Sequence, residues 1–474
     1  MTNVQRPSHS RTRILLAIAT LSLTIGWTPT AAQPAQAAAS SLPASMPFAD
    51  SAFESVWMRN DLPVASRAAS RSWTWGPAPL ASGIEPYAEA PDGSGTRLVQ
   101  YFDKSRMEIN NPKASSTDKW FVTNGLLTVE LISGRMQLGN TRFETRKPAN
   151  IPMASDADDA TAPTYATFGA VSNTSAGEKR QPDNSGKYAT GRINKAGAVT
   201  DDPSMKVPEA KIAYFEKATG HNVPQVFVDF LNSSALVQAG RTASTKPLLD
   251  PWVFAMGLPI SDAYWATVKI EGKQQDVLIQ AFERRVLTYA PGLAKGWQVQ
   301  MGNIGQHYYD WRYGSGATLQ KQPKVAPSMP ARFAIPTLGV YTSVEAVSVD
   351  KDNNMDIPRD PANVAWFKPG TIPGNKGNAA IDGHLDWYGI KEAVFYFLGT
   401  LKPGDRIYVR DVKGRDRAFI VTKQQTCTWL GCPLQDIFGP TTGAHLNLIT
   451  CQGTFNRAQG QYDKRLVVYS EAAQ

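Results

Sequence analysis

Residues 52–150 and 214–315 repeat one another, and this duplication constrains the fold more than any other feature, because each copy must close a core with the same local signals. In the first copy Trp75-Gly76-Pro77-Ala78-Pro79 leads to Gln100-Tyr101-Phe102-Asp103-Lys104, then to Pro112 and Val122-Thr123-Asn124-Gly125. In the second, Gly257-Leu258-Pro259 leads to Gln280-Ala281-Phe282-Glu283-Arg284, then to Pro291 and Val299-Gln300-Met301-Gly302. Each copy reads as a short helix, a Gly-Pro turn and paired strands around the Gln-x-Phe-acid-base segment. Phe227, Phe230 and Leu231, at helical spacing, form the apolar stripe of the second copy's helix.

The chain has 474 residues, 42% hydrophobic and 19% charged, which indicates several globular domains rather than disorder. Its 33 prolines and 37 glycines favour many short strands over long helices. The net charge is +8, but Arg6, Arg11 and Arg13 lie in a leader without acids, and no dense basic run interleaved with aromatics follows, so no nucleic-acid partner is expected. Those three arginines precede the apolar stretch Ile14–Trp27, short for a bilayer span, and Ala35-Gln36-Ala37 fits an A-x-A cleavage site. Residues 1–37 therefore read as a signal peptide, with an N-terminal membrane anchor as the other reading. The mature chain is expected to be extracytoplasmic, either secreted or associated with the cell envelope.

Composition divides the rest into a first repeat module (48–152), a long and partly disordered loop (153–207), a second repeat module (208–316), a Pro-rich linker (317–330) and a C-terminal domain (331–474). His307, Tyr308, Tyr309, Trp311 and Tyr313 read as core packing of a terminal strand, with an aromatic carbohydrate-binding face as the alternative. In the C-terminal domain β-rich runs recur at Phe333–Ile335, Val344–Val349, Ala379–Ile381, Arg406–Val409, Ala418–Val421, Leu446–Thr450 and Leu466–Tyr469. Their spacing predicts an all-β barrel or sandwich.

All three cysteines, Cys427, Cys432 and Cys451, fall in this domain. Export favours a Cys427–Cys432 disulfide over free thiols. A metal would need further ligands, of which His445 is the only one nearby, so neither a metal nor a cofactor is expected. Cys451 ends one predicted strand, Arg465 opens another and His384 follows a third. A thiol, an imidazole and a guanidinium at strand ends can converge on one rim. Singly, each is as well explained by packing, a turn or an ion pair.

Five segments, taken in order, resemble the sortase family of cysteine transpeptidases: Arg332-Phe333-Ala334-Ile335-Pro336, Gly383-His384-Leu385-Asp386, Leu401-Lys402-Pro403-Gly404-Asp405, Leu448-Ile449-Thr450-Cys451 and Arg465-Leu466-Val467-Val468-Tyr469. The likeness covers nearly all of 331–474 and is greatest to classes E and F. The paired disulfide cysteines are not a general feature of that family. The resemblance implies a multidomain chain in which a closed eight-stranded β-barrel follows a duplicated α+β module. It further implies a catalytic set of Cys451, His384 and Arg465. Thr450 either adds a hydroxyl to that site or is an ordinary strand residue, and Asp386 either orients His384 or stabilises a turn. The expected partners are a sorting peptide of a surface protein and an amine acceptor, on the cell envelope or on a pilin-like subunit. The duplicated module resembles an extracellular module of bacterial secreted proteins, which implies no chemistry. Two other functions fit the same residues: a thiol peptidase ending in hydrolysis, and an envelope-binding or structural protein with an idle barrel.

Overall fold

The computed structural model describes residues 48–473 except 117, 175–178, 241, 315–318, 320–325, 351–353 and 414. The expected signal peptide and most of the expected linker lie outside the described residues. In the first repeat α1 (Ser51–Ala65) precedes β1 (Ala81–Pro86), β2 (Thr96–Phe102), β3 (Ser105–Ile109), β4 (Thr123–Asn124) and α2 (Leu127–Ser133). Next come β5 (Arg135–Gln137), β6 (Phe143–Thr145), α3 (Tyr165–Phe168), β7 (Gly191–Ile193), β8 (Val199–Asp201), β9 (Ile212–Glu216) and β10 (His221–Pro224). The second repeat holds α4 (Gln225–Leu231), β11 (Ser234–Ala239), β12 (Thr242–Pro247), α5 (Trp252–Met256), β13 (Tyr264–Ile270), β14 (Lys273–Ala281), β15 (Val286–Tyr289), β16 (Val299–Met301) and α6 (Ile304–Tyr313).

Four strands followed by a helix therefore occur twice, as β1–β4 with α2 and as β13–β16 with α6. Each copy's helix docks on the other's central hairpin. The Gly305 amide donates to the Asp103 carbonyl at 3.0 Å, and the Val129 amide donates to the Glu283 carbonyl at 3.4 Å. The bases that recur beside those acids cross over in the same way. Lys104 Nζ donates to the Met301 carbonyl at 2.9 Å, and Arg284 donates to the Asn124 carbonyl. The repeated acid-base pair is thus the contact through which the copies hold each other. A Cβ at Gly305 would collide with the Phe102 carbonyl, so the close approach of α6 needs glycine there.

Two expectations are corrected by this module. Segment 153–207, read as a partly disordered loop, carries α3, β7 and β8 and buries Met153, Ala162, Tyr165, Phe168 and Ile193. β7 pairs with β13 at Arg192↔Trp265 and extends the second repeat's sheet to six strands. Its apolar residues are few and enter the core singly, so they leave no periodic signal. His307 to Tyr313 form helix α6 instead of a terminal strand, with Tyr308 stacked on Tyr101 and Arg312 ion-paired to Glu85 at 3.4 Å in the core. The segment reads as a strand because Tyr308, Tyr309, Trp311 and Tyr313 crowd seven residues. Burial pushes His307 down to about 4.

The barrel comprises β17 (Pro330–Ile335), β18 (Val340–Val347), β19 (Val364–Phe367), β20 (Gly377–Gly383), β21 (Arg406–Asp411), β22 (Asp416–Thr428), helix α7 (Leu434–Phe438), β23 (Ala444–Asn456) and β24 (Gln461–Ala472). Its eight strands close in the order β17-β18-β19-β20-β23-β24-β22-β21 around Phe333, Ile381, Leu398, Ile407, Leu448 and Val468. β19 was absent from the predicted runs because four residues between Asn363 and Lys368-Pro369-Gly370 are too short to alternate visibly. The barrel starts at Pro330, inside the expected linker, and Leu319 packs into the module core. Among the described residues no helix is long and apolar enough to cross a membrane.

Helix α1 ties the module to the barrel. Asp50 caps the helix by accepting from the Ala52 amide at 2.8 Å, and the same carboxylate takes two bonds from Arg410 of β21 at 2.6 and 2.8 Å. Asp416 shares that guanidinium at 2.6 Å and accepts from the Ser51 hydroxyl at 2.7 Å. One turn on, Glu54 meets Arg406 and Tyr408. Burial, helped by Asp416 and opposed by Arg410, raises Asp50 to about 7; burial also raises Glu54. An aspartate ordinarily titrates near ~4, so this contact contributes most at low pH and loses its contribution as pH rises through about 7. The melting temperature is therefore expected to fall by a few degrees between pH 5.5 and 8.5, and Asp50→Asn, which keeps the cap, is expected to flatten that slope. Equal slopes in the two proteins would contradict this account.

Candidate active site

Alternation along β20, β23 and β24 sorts their side chains onto two faces. Ala379, Ile381, Leu446, Leu448, Leu466 and Val468 point into the barrel, which leaves Asp382, Ile449, Cys451, Arg465, Val467 and Tyr469 outside. Ile437 of α7 covers Val467 and Tyr469 in a small outer cluster that also takes in Ile449, Cys427 and Cys432. Helix α7 and the loop before it therefore wall the outer face beside Cys451. Cys427 and Cys432 are joined by a disulfide, and Cys451 is a free, half-buried thiol.

Strand register pairs two of the three predicted residues directly, and the third follows the neighbouring strand. Cys451 of β23 lies directly opposite Arg465 of β24. β20 runs parallel to β23 with Asp382 opposite Ile449, and His384 follows one residue past the end of β20. Neighbouring strands are ~4.8 Å apart, so thiol and guanidinium stand side by side on adjacent strands of one face. On the far side of Arg465 the next residue in the row is Cys427, which fixes the disulfide loop beside the guanidinium. This face lies across the barrel from β17 and β21, the side on which α1 docks.

Each group is held by neighbours. The His384 ring, buried, makes a 2.8 Å hydrogen bond from Nε2 to the Pro358 carbonyl. A carbonyl only accepts, so Nε2 carries the proton and Nδ1 is the basic nitrogen of the neutral ring. The Trp387 ring packs against it with centroids 4.4 Å apart. The Phe395 ring crosses the strand just before the histidine, where a Cβ on Gly383 would come within 2.5 Å of it. Arg465 Nη1 donates to the Tyr462 and Lys464 carbonyls at 3.0 and 2.9 Å, which keeps its head beside its own strand.

The two auxiliary residues take other roles. Thr450 faces inward, fully buried, and its hydroxyl donates to the Gly383 carbonyl at 2.7 Å, pinning the strand end that presents His384. Asp386 accepts from the Tyr462 hydroxyl and so ties the histidine loop to the β23–β24 hairpin. Pro358, Trp387 and Tyr462 were not singled out in the sequence. A carbonyl partner leaves no side-chain signal, whereas the exposed pair Trp387-Tyr388 beside the histidine was a visible one.

Burial raises the Cys451 thiol above its ordinary range; Arg465 opposes the shift, and Asp382 and Asp386 add to it. Asp382, the one acid of its strand, is raised by burial to about 7 against the pull of Arg465. Above that pH its charge opposes thiolate formation. Asp382→Asn is therefore expected to lower the pH midpoint of Cys451 alkylation and to speed the reaction severalfold at pH 8. An unchanged rate–pH profile would rule out Asp382 as a determinant of the thiol.

The free cysteine and the arginine thus stand side by side on the outer face of a closed barrel. Residues 333–473 match the family model described as Sortase domain, and this part of the chain belongs to the sortases, which are cysteine transpeptidases. No curated protein matches the chain. Among solved structures the chain is similar to pilus-related sortase C of Group B Streptococcus, at 17% identity and a TM-score of 0.24 over 32% of this chain and 70% of that one. Sortase A of Listeria monocytogenes aligns at 22% identity and a TM-score of 0.24 over 31% and 88%. Sortase C-1 of Actinomyces oris aligns at 22% identity and a TM-score of 0.25 over 32% and 76%. The family match, and not these distant alignments, carries the assignment.

Proposed function

We propose that this protein acts outside the cytoplasm, cleaving a sorting peptide of a surface protein and transferring its acyl part to an amine on the envelope or on a pilin-like subunit. Cys451 gives its proton to Nδ1 of His384 and attacks the peptide carbonyl carbon. Arg465 donates hydrogen bonds to the oxyanion that forms. As the tetrahedral centre collapses, Nδ1 returns its proton to the departing amine and a thioester remains on Cys451. The second amine attacks the thioester and loses its proton to His384, and the thiol is released. The pairing of Cys451 with Arg465 on adjacent strands, with His384 one residue past the end of β20, is the observation that supports this reading. The Nε2 bond to Pro358 supports it by leaving Nδ1 as the exchanging atom.

The test is to trap the thioester on Cys451 by mass spectrometry with an activated sorting peptide and then to titrate a primary amine. Amide product that grows with amine and exceeds hydrolysis is the expected result. Hydrolysis at every amine concentration would establish a thiol peptidase instead.

A further inference from the structure

Beside the second repeat module lies an open cleft of about 180 Å³, formed where the segment 184–191 passes over the starts of β9 and β13. We propose that it binds a neutral oligosaccharide. The cleft is preformed. Backbone bonds staple its outer wall, Gly186 N–H donating to the Ile212 carbonyl at 2.9 Å and Ile212 N–H to the Lys187 carbonyl at 2.8 Å. Asn222 braces the wall from beneath, accepting from the Asn184 amide at 2.9 Å and donating to the Pro182 carbonyl at 3.0 Å.

The groups facing the cleft match a ring that is apolar on its faces and hydroxylated at its edge. Tyr188, 38% exposed, and Tyr264 supply the aromatic surfaces, and among the described residues neither phenol has a hydrogen-bond partner. The Tyr264 ring is set edge-on against Phe168 at 6.4 Å. Burial, with Asp262 nearby, raises its phenol so that it stays a donor at any working pH. Asp262 is aimed by three donors: the Asn222 amide at 2.8 Å, Asn222 Nδ2 at 3.1 Å and His221 Nδ1 at 3.3 Å. Its side chain remains 18% exposed and can accept further bonds. Lys187, bonded to Asn184 at 2.9 Å, stands in the same lining. One ammonium and one carboxylate balance, which favours a neutral ligand over an anion or a cation. Tyrosines that are apolar on one side and polar at the tip, with a few oriented polar groups, suit stacking on a sugar ring and bonding its hydroxyls. The aromatics of α6, where such a face was considered from sequence, are occupied in the core.

Calorimetric titration of the full chain with chitohexaose, cellohexaose and an oligogalacturonate tests the proposal. Binding of one of the two neutral sugars is expected, with little heat from the uronate. Tyr188→Ala should weaken that binding at least tenfold, and Asp262→Asn severalfold. Neither substitution should change the rate of Cys451 alkylation, so the outcome is separate from that of the thiol chemistry. The proposal is overturned if neither neutral sugar binds at millimolar concentration, if the uronate binds best, or if Tyr188→Ala leaves the affinity unchanged.

Discussion

Replacing Cys451 by Ala is expected to remove the covalent acyl-enzyme and reduce acyl transfer to background, a loss on the order of 10⁴-fold or more. Cys451 is a free, half-buried thiol at the edge of the barrel wall, so losing its sulfur opens no cavity in the barrel core and the melting temperature should hardly move. That separates chemistry from folding. The measurement is the mass of the protein after incubation with an activated peptide, together with product formation in the presence of an amine. Cys427 and Cys432 are tied up in their disulfide and offer no substitute nucleophile unless reduced, so the assay is run without reductant. Undiminished turnover in the variant would remove the proposed role of Cys451 altogether.

For Arg465→Lys the expected loss is ~10²–10³-fold in acyl transfer, the scale of losing one oxyanion donor. Arg465 lowers the Cys451 thiol pKa through its charge, and a lysine retains that charge. Alkylation of Cys451 should therefore keep nearly its original pH profile while acyl transfer falls. Arg465→Gln, which removes the charge as well, should shift the alkylation midpoint upward and impair transfer. If the lysine variant transfers at the original rate, the guanidinium serves only as a charge, and the proposed two-pronged contact with the oxyanion is wrong.

Much of this architecture was legible in the residues because its signals are local. The runs from Phe333–Ile335 to Leu466–Tyr469 are short and rich in β-forming residues, and they fall in barrel strands, apart from the end of Val344–Val349, which extends past β18. The duplicated Gln-x-Phe-acid-base segment announced two like units, and the chain order of four strands and a helix occurs twice. Segment 153–207 was not legible, since Tyr165, Phe168 and Ile193 reach the core as isolated side chains whose burial depends on surfaces built elsewhere. α6 was misread because a run of aromatics suits a strand and a buried helix equally, and only its packing on β2 and β3 decides between them.

By itself, then, the sequence determined where most barrel strands lie, the duplication, and the reactive side chains near strand ends. Each of these follows from steric and apolar patterns within a few residues. Tertiary structure alone decided which side chains meet. His384 is carried to the Cys451 end of β23 by the parallel pairing of β20 on β23, strands separated by β21, β22 and α7 in the chain. The partner of His384 is the Pro358 carbonyl, and that of Asp386 is Tyr462; a side chain's partner is settled by geometry across the closed barrel. Asp50 reaches Arg410 across the whole module for the same reason. Periodicity is encoded locally, whereas register and ion pairing between distant segments are set by the single closure that lets every strand hydrogen-bond and every apolar face be buried.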